Sequence, residues 1–207
     1  MEIKVTQDNL GTHVDWKHDG ITPKMLDWFW SNMEKMYVLW HPKTHGTLTW
    51  PKPPVHGNPV GSIHRAPHHY PDGVKQDIYI RIEDLTEVPG EIKDYIIYEH
   101  CVVVAGLGLG PESIETGEPM GYRIHQWEKT DYGVVGKSSA FGAKIKETKE
   151  DGLKWAEHCV EEIENWKMFL SQMYDLFKSV ANTDTNPFAD LTVEGEGRNA
   201  KYKYIGG

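Results

Sequence analysis

Cysteine is scarce: Cys101 and Cys159 are the only two in 207 residues, too few for a disulfide framework, so a hydrophobic core must hold the fold. No stretch approaches eighteen consecutive apolar residues, so the sequence offers no candidate membrane-spanning helix. The opening MEIKVTQDNLG is too polar for a signal peptide. Positive charge is also short: 22 Lys and Arg against 31 Asp and Glu leave a net charge of −9 with no basic run. That argues against a nucleic-acid surface. The expectation is a cytoplasmic enzyme or binding protein with neither nucleic acid nor membrane as partner.

Familiar catalytic signatures are missing as well. There is no GxSxG, and Ser138-Ser139 falls in a strand-like stretch. VVVAGLGLGPES spaces Gly106, Gly108 and Gly110 as GxGxG, puts Pro111 where a dinucleotide fingerprint has its last glycine, and lacks the βαβ setting. It reads as a strand running into a loop. Cys159 follows His158 directly, but on a helix the two point about 100° apart, and Cys159 reads as core.

Aromatics and histidines are plentiful. Eight Trp and ten Tyr can line a pocket as well as fill a core. Of eleven His, six (His41, His45, His56, His64, His68 and His69) cluster within thirty residues.

The clearest element is the stretch from Thr148 to Val180. Thr148 and Asp151 make a capping-box start. Trp155, Cys159, Ile163, Trp166, Leu170, Met173 and Phe177 then recur at helical spacing, while Glu157, Glu161, Glu164, Lys167, Gln172, Asp175 and Lys178 fall on the opposite face. His158 and Glu162 break the partition by lying within the apolar arc. Residues four apart on a helix project the same way, and a carboxylate on a buried face is costly unless paired or metal-bound. This pair is therefore either a structural His–Glu hydrogen bond or half of a metal site suited to zinc.

In chain order, residues 1–20 read as an extended lead-in. A helix follows, with Thr22 as N-cap, Pro23 at its first position, an apolar stripe of Leu26, Phe29, Trp30, Met33 and Tyr37, and an end near Trp40. His41 and His45 sit on the turn after it. Strands are expected at 48–50, 60–69, 76–82, 95–109, 119–129 and 133–146, with 83–95 polar and loop-like. Residues 182–207 read as a polar tail. One domain over 21–181 follows, of α+β class, a curved antiparallel sheet wrapped around the terminal helix.

Three stretches resemble one known group, the 2,4-diacetylphloroglucinol hydrolase and phloretin hydrolase family. They are MLDWFWSNMEKMYVLWHPKTH, HQWEKTDYGVVGKSSAFGAK and HCVEEIENW, together covering about Met25 to Trp166. The resemblance implies a helix-grip (Bet v 1-like) fold, a zinc ion held by two His and two carboxylates, and hydrolysis of the carbon–carbon bond between an aromatic ring and an acyl group. Carried over by position, His45 is a ligand, His158 and Glu162 are the HxxxE pair, Tyr37 faces the substrate and His125 matches the middle histidine. The family's remaining Glu ligand has no counterpart in APHHYPDG, where His69 holds the nearest position and His68 and His64 are rivals. A site of three His and one Glu is still zinc chemistry, with one negative charge fewer.

The expected reaction is a retro-Claisen hydrolysis of an acylphloroglucinol-like ketone, with Tyr37 and His125 orienting ring hydroxyls and returning the proton. Trp28, Trp30, Trp40, Trp127 and Trp155 would supply stacking walls. Two other readings stand beside it: a non-catalytic helix-grip carrier of aromatic ligands, and a cyclase or isomerase using His and Tyr as acid and base. So much aromatic surface also suits a homodimer.

Overall fold

Residues 2–19, read from the sequence as a lead-in, are two strands of the sheet. β1 (Glu2–Gln7) and β2 (Gly11–Asp19) form an antiparallel hairpin, and β2 pairs along its whole length with β8 (Gly133–Gly142). Residues 2–19 therefore belong to the domain that the sequence pattern begins at residue 21. The strand was hard to see because THVDWKHD offers only Val14 and Trp16 as apolar inward positions. The computed structural model describes residues 2–55, 58–70, 72–144, 147–180 and 192–203.

The strands β3 (Thr49–Lys52), β4 (Ile63–His69), β5 (Lys75–Ile82), β6 (His100–Gly108) and β7 (Gly121–Lys129) complete an antiparallel sheet in the order β1-β2-β8-β7-β6-β5-β4-β3. The first helical stretch divides into α1 (Pro23–Ser31) and α2 (Met33–Trp40). Thr22 Oγ1 accepts the Met25 N–H at 3.3 Å, as its N-cap role requires. The break comes at Asn32. Ser31 Oγ donates to the Asp27 carbonyl (2.5 Å) and Asn32 Nδ2 to the Trp28 carbonyl (2.9 Å), so side chains compete for the helix's own acceptors.

Two short helical turns follow, α3 (Gly90–Lys93) and α4 (Ser113–Thr116), and then α5 (Lys149–Val180). Thr148 caps α5: its Oγ1 accepts the Asp151 N–H at 3.1 Å and donates to Asp151 Oδ2 at 2.6 Å. A cap of this kind contributes about 1 kcal/mol. α5 lies across the sheet against β2, α1 and α2, burying Cys159, Ile163, Trp166 and Leu170 with Trp16, Phe29 and Trp127.

The other sheet face is covered too. Cys101, Val103, Ala105 and Leu107 of β6 pack there with Tyr122 and Ile124, under Leu85, Val88, Ile92 and Ile96. Residues 83–95, read as polar loop, thus belong to an apolar cover that runs on to Ile96. A strand buried on both faces reads as an unbroken apolar run, which is why CVVVAGL was so clear a strand. The C-terminal segment adds to this layer. β9 (Thr192–Glu194), a 3₁₀ turn and β10 (Lys201–Lys203) form a hairpin, and Ala200 is buried. The rest of the expected tail, 182–191 and 204–207, lies outside the described residues. No helix among the described residues is long and apolar enough to cross a membrane.

Candidate metal centre and ligand cavity

The expected site residues come from three elements. α2 ends at Trp40, and the following turn carries His45, whose N–H bonds to the His41 carbonyl at 2.9 Å. Backbone bonds clamp this turn to β4: His69 N–H to the Thr44 carbonyl (2.6 Å) and Gly46 N–H to the Pro67 carbonyl (2.8 Å). Gly46 permits this approach, because a Cβ there would lie 3.0 Å from the Pro67 side chain. α5 contributes His158 and Glu162 one turn apart.

On β4 the inward positions are His64, Ala66 and His68. His69, the expected ligand, is exposed on the opposite face, and its neighbour His68 is the histidine that meets the others. Successive strand residues point to opposite faces, so only one of the pair can reach the helix.

The ligand-type atoms of His45, His68 and His158 all lie within 4.8 Å of one another. His45 Nε2 is 3.1 Å from His158 Nε2, and Glu162 Oε1 is 3.3 Å from each of those nitrogens. Ligands about 2.0–2.1 Å from a tetrahedral zinc are about 3.3 Å apart, so these separations match edges of such a site. His45 Nδ1–H donates to the Tyr37 carbonyl (2.9 Å) and His68 Nδ1–H to the Ala66 carbonyl (3.1 Å). Both bonds fix the tautomer and leave Nε2 as a bare donor atom, as in the outer shell of metal sites. Two imidazole lone pairs and a carboxylate facing one another need a positive centre. It is supplied either by protonating His158 or by a cation, and the residues fit a divalent ion.

The electrostatics agree. Burial disfavours the His158 imidazolium, but the adjacent Glu162 carboxylate outweighs it and raises the histidine's pKa. Burial likewise opposes ionisation of Glu162, yet the His158 and His45 imidazoles hold its carboxyl below the usual range. His41 stays outside the cluster. It stacks on His158 (centroids 4.1 Å apart), bonds Thr44 Oγ1 through Nδ1 at 2.8 Å, and props the ligand ring from behind. Its pKa is pushed down to about 4, chiefly by burial and by His158. His56 lies outside the described residues.

The cluster opens into a cavity of about 580 Å³ between the sheet, α5 and the α1–α2 pair. Tyr37 lies in its wall, stacked on His45 with centroids 3.9 Å apart, and burial keeps its phenol protonated far above neutrality. His125 lines the same cavity against Trp30, with Nδ1 3.0 Å from Ser138 Oγ. Burial pushes its pKa down to about 4, so it acts as a neutral hydrogen-bonding group. Of the expected aromatic walls, Trp30, Trp40 and Trp155 face the cavity, whereas Trp28 and Trp127 are core.

The sequence reading missed a polar pair in the cavity lining. There Arg123 donates to Glu147 Oε1 (2.7 Å) and lies over the Trp155 ring, 5.3 Å from its centroid. The signal was an Arg flanked by Tyr122 and Ile124 in a strand that is buried along most of its length.

No protein-family model matches the chain, and no curated protein matches it. Solved structures do match in shape. One is a protein from Rhodobacter sphaeroides, with a TM-score of 0.54 and 16% identity over 83% of this chain and 99% of that one. Another is a protein from Nitrosomonas europaea, with a TM-score of 0.51 and 14% identity over 79% and 97%. A third is Ara h 8.0201, with a TM-score of 0.50 and 8% identity over 83% and 99%. At such identities the likeness speaks for the fold alone, and together with the topology it gives this chain a helix-grip (Bet v 1-like) fold.

Proposed function

We propose that the cavity takes up a small aromatic ketone beside a zinc ion held by His45, His68, His158 and Glu162. The finer reading is hydrolysis of the carbon–carbon bond between a phloroglucinol-like ring and its acyl group. The observation that supports it is the convergence of three imidazoles and a buried carboxylate, two of the rings with Nδ1 spent on carbonyls, in the wall of an aromatic cavity. When bound, the ion would supply Lewis acidity toward the ketone oxygen and a water acidic enough to react near neutral pH. The remaining work belongs to the chain. Trp30, Trp40 and Trp155 present ring faces and exclude bulk water. Tyr37, kept protonated by burial, is suited to donate a hydrogen bond to a ring oxygen. His125, neutral and tied to Ser138, is suited to accept one from a ring hydroxyl.

A non-catalytic carrier of aromatic ligands is the second reading, and one observation favours it. His125 is a poor proton donor near neutral pH, which weakens the acid–base part of the hydrolytic scheme and of any cyclase or isomerase scheme. The deciding experiment combines elemental analysis of the purified protein with incubation with monoacetylphloroglucinol, followed by chromatography of the products. About one zinc per chain and release of phloroglucinol and acetate, both lost on chelation, support the hydrolase. Tight binding of aromatic ketones that survives chelation, with no product, supports the carrier and sinks the hydrolase.

A further inference from the structure

His64 is the cavity histidine without an evident structural task. It is 3% exposed and lines the cavity, yet its buried Nδ1 has no hydrogen-bond partner among the described residues. Two other imidazoles of the lining differ: His68 spends Nδ1 on a backbone carbonyl, and His125 spends it on Ser138. Buried polar groups are rarely left this way without a reason. Burial also holds the ring neutral, with its pKa pushed down to about 3. In a neutral ring one nitrogen carries the proton, and an unpaired buried N–H is more costly than an unused lone pair. The proton therefore belongs on Nε2, which leaves Nδ1 as the unused lone pair.

Position gives the Nε2–H a meaning. His64 and His68 face inward from the same strand with only Ala66 between them, about 13 Å apart at the usual rise per strand residue. Trp50 packs edge-on against His64, with centroids 5.3 Å apart, and holds the ring in place. Across the sheet, His64 pairs with Ile80, and Ile80 with Gly106. A Cβ on Gly106 would meet nothing within 4 Å, so the floor beside His64 is open.

We infer that His64 selects the ligand, donating a hydrogen bond from Nε2–H to a second ligand oxygen remote from the one at the His45–His68–His158 end. The preferred ligand is then elongated, apolar and aromatic in the middle, and oxygenated at both ends. This rests on the cavity reading proposed above, though not on whether the protein is a catalyst.

The test is calorimetric titration of the purified protein with para-acetylbiphenyl and with its derivative hydroxylated at the far para position. Wild-type protein should bind the hydroxylated compound about three- to tenfold more tightly, the range of one net hydrogen bond. His64→Leu should abolish that preference, bringing the ratio of the two affinities to about one. Should His64→Leu fail to fold, His64→Asn, whose amide is too short to reach, must show the same loss. An undiminished preference in the folded variant, or no preference in the wild type, overturns the role of His64 while leaving the cavity intact. Failure of the wild type to bind either compound overturns the cavity reading and this inference with it.

Discussion

His68 and His69 are neighbours in sequence, and only one of them faces the helix. The consequence is measurable. His68→Ala should lower zinc content well below one per chain, whereas His69→Ala, on the exposed face, should leave it unchanged, as read by elemental analysis after dialysis. Equal loss in both variants would remove His68 from the site. Gly106 allows a second test at this scale. Its inward Cβ position is open, so Gly106→Leu should fill the cavity and weaken binding of an aromatic ketone at least about tenfold without changing zinc content. The sequence already placed His158 and Glu162 together, because i,i+4 spacing on a helix needs no tertiary information. The histidine cluster marked His45 as one candidate among several, and resemblance singled it out, since nothing local says where a turn residue points.

At the scale of elements, α5 was read almost to its ends because cap and apolar stripe agree over its 32 residues. α1 and α2 read as one helix, since propensity hides the competition of Ser31 and Asn32 for backbone carbonyls. The β1–β2 turn carries a pH-dependent prediction. Burial raises the Asp8 pKa, but the Tyr95 hydroxyl and the Gly11 and Leu10 N–H groups outweigh it and bring it down to about 2 from 3.8. A depressed carboxylate pKa stabilises the fold above the unfolded value, and that contribution disappears as pH falls from about 4 through about 2. Asp8→Asn should therefore be less stable than wild type near neutral pH, with the gap in thermal midpoint closing by about pH 2. A gap that persists at the acid end would refute the assignment.

Over the whole molecule, the sheet is covered on both sides: α5 and the cavity on one, residues 83–96 and the C-terminal hairpin on the other. The Tyr202 hydroxyl accepts the Val103 N–H at 3.0 Å, and β9 pairs with β6 through His100 and Thr192. Truncation before Thr192 should lower the thermal midpoint and let a thiol reagent reach Cys101 sooner than Cys159, which lies under α5. Unchanged Cys101 labelling would mean that residues 83–96 cover it alone. By itself the sequence determined the fold class, the long helix with its misplaced His–Glu pair, and most of the strands. Each of these rests on short-range periodicity and caps. Only the tertiary structure decided that residues 2–19 belong to the sheet and that residues 83–96 are a cover. It also decided that His68, not His69, joins His45, His158 and Glu162. Which face of a strand looks inward depends on its pairing and on the element packed across it, and periodicity alone leaves both faces equivalent.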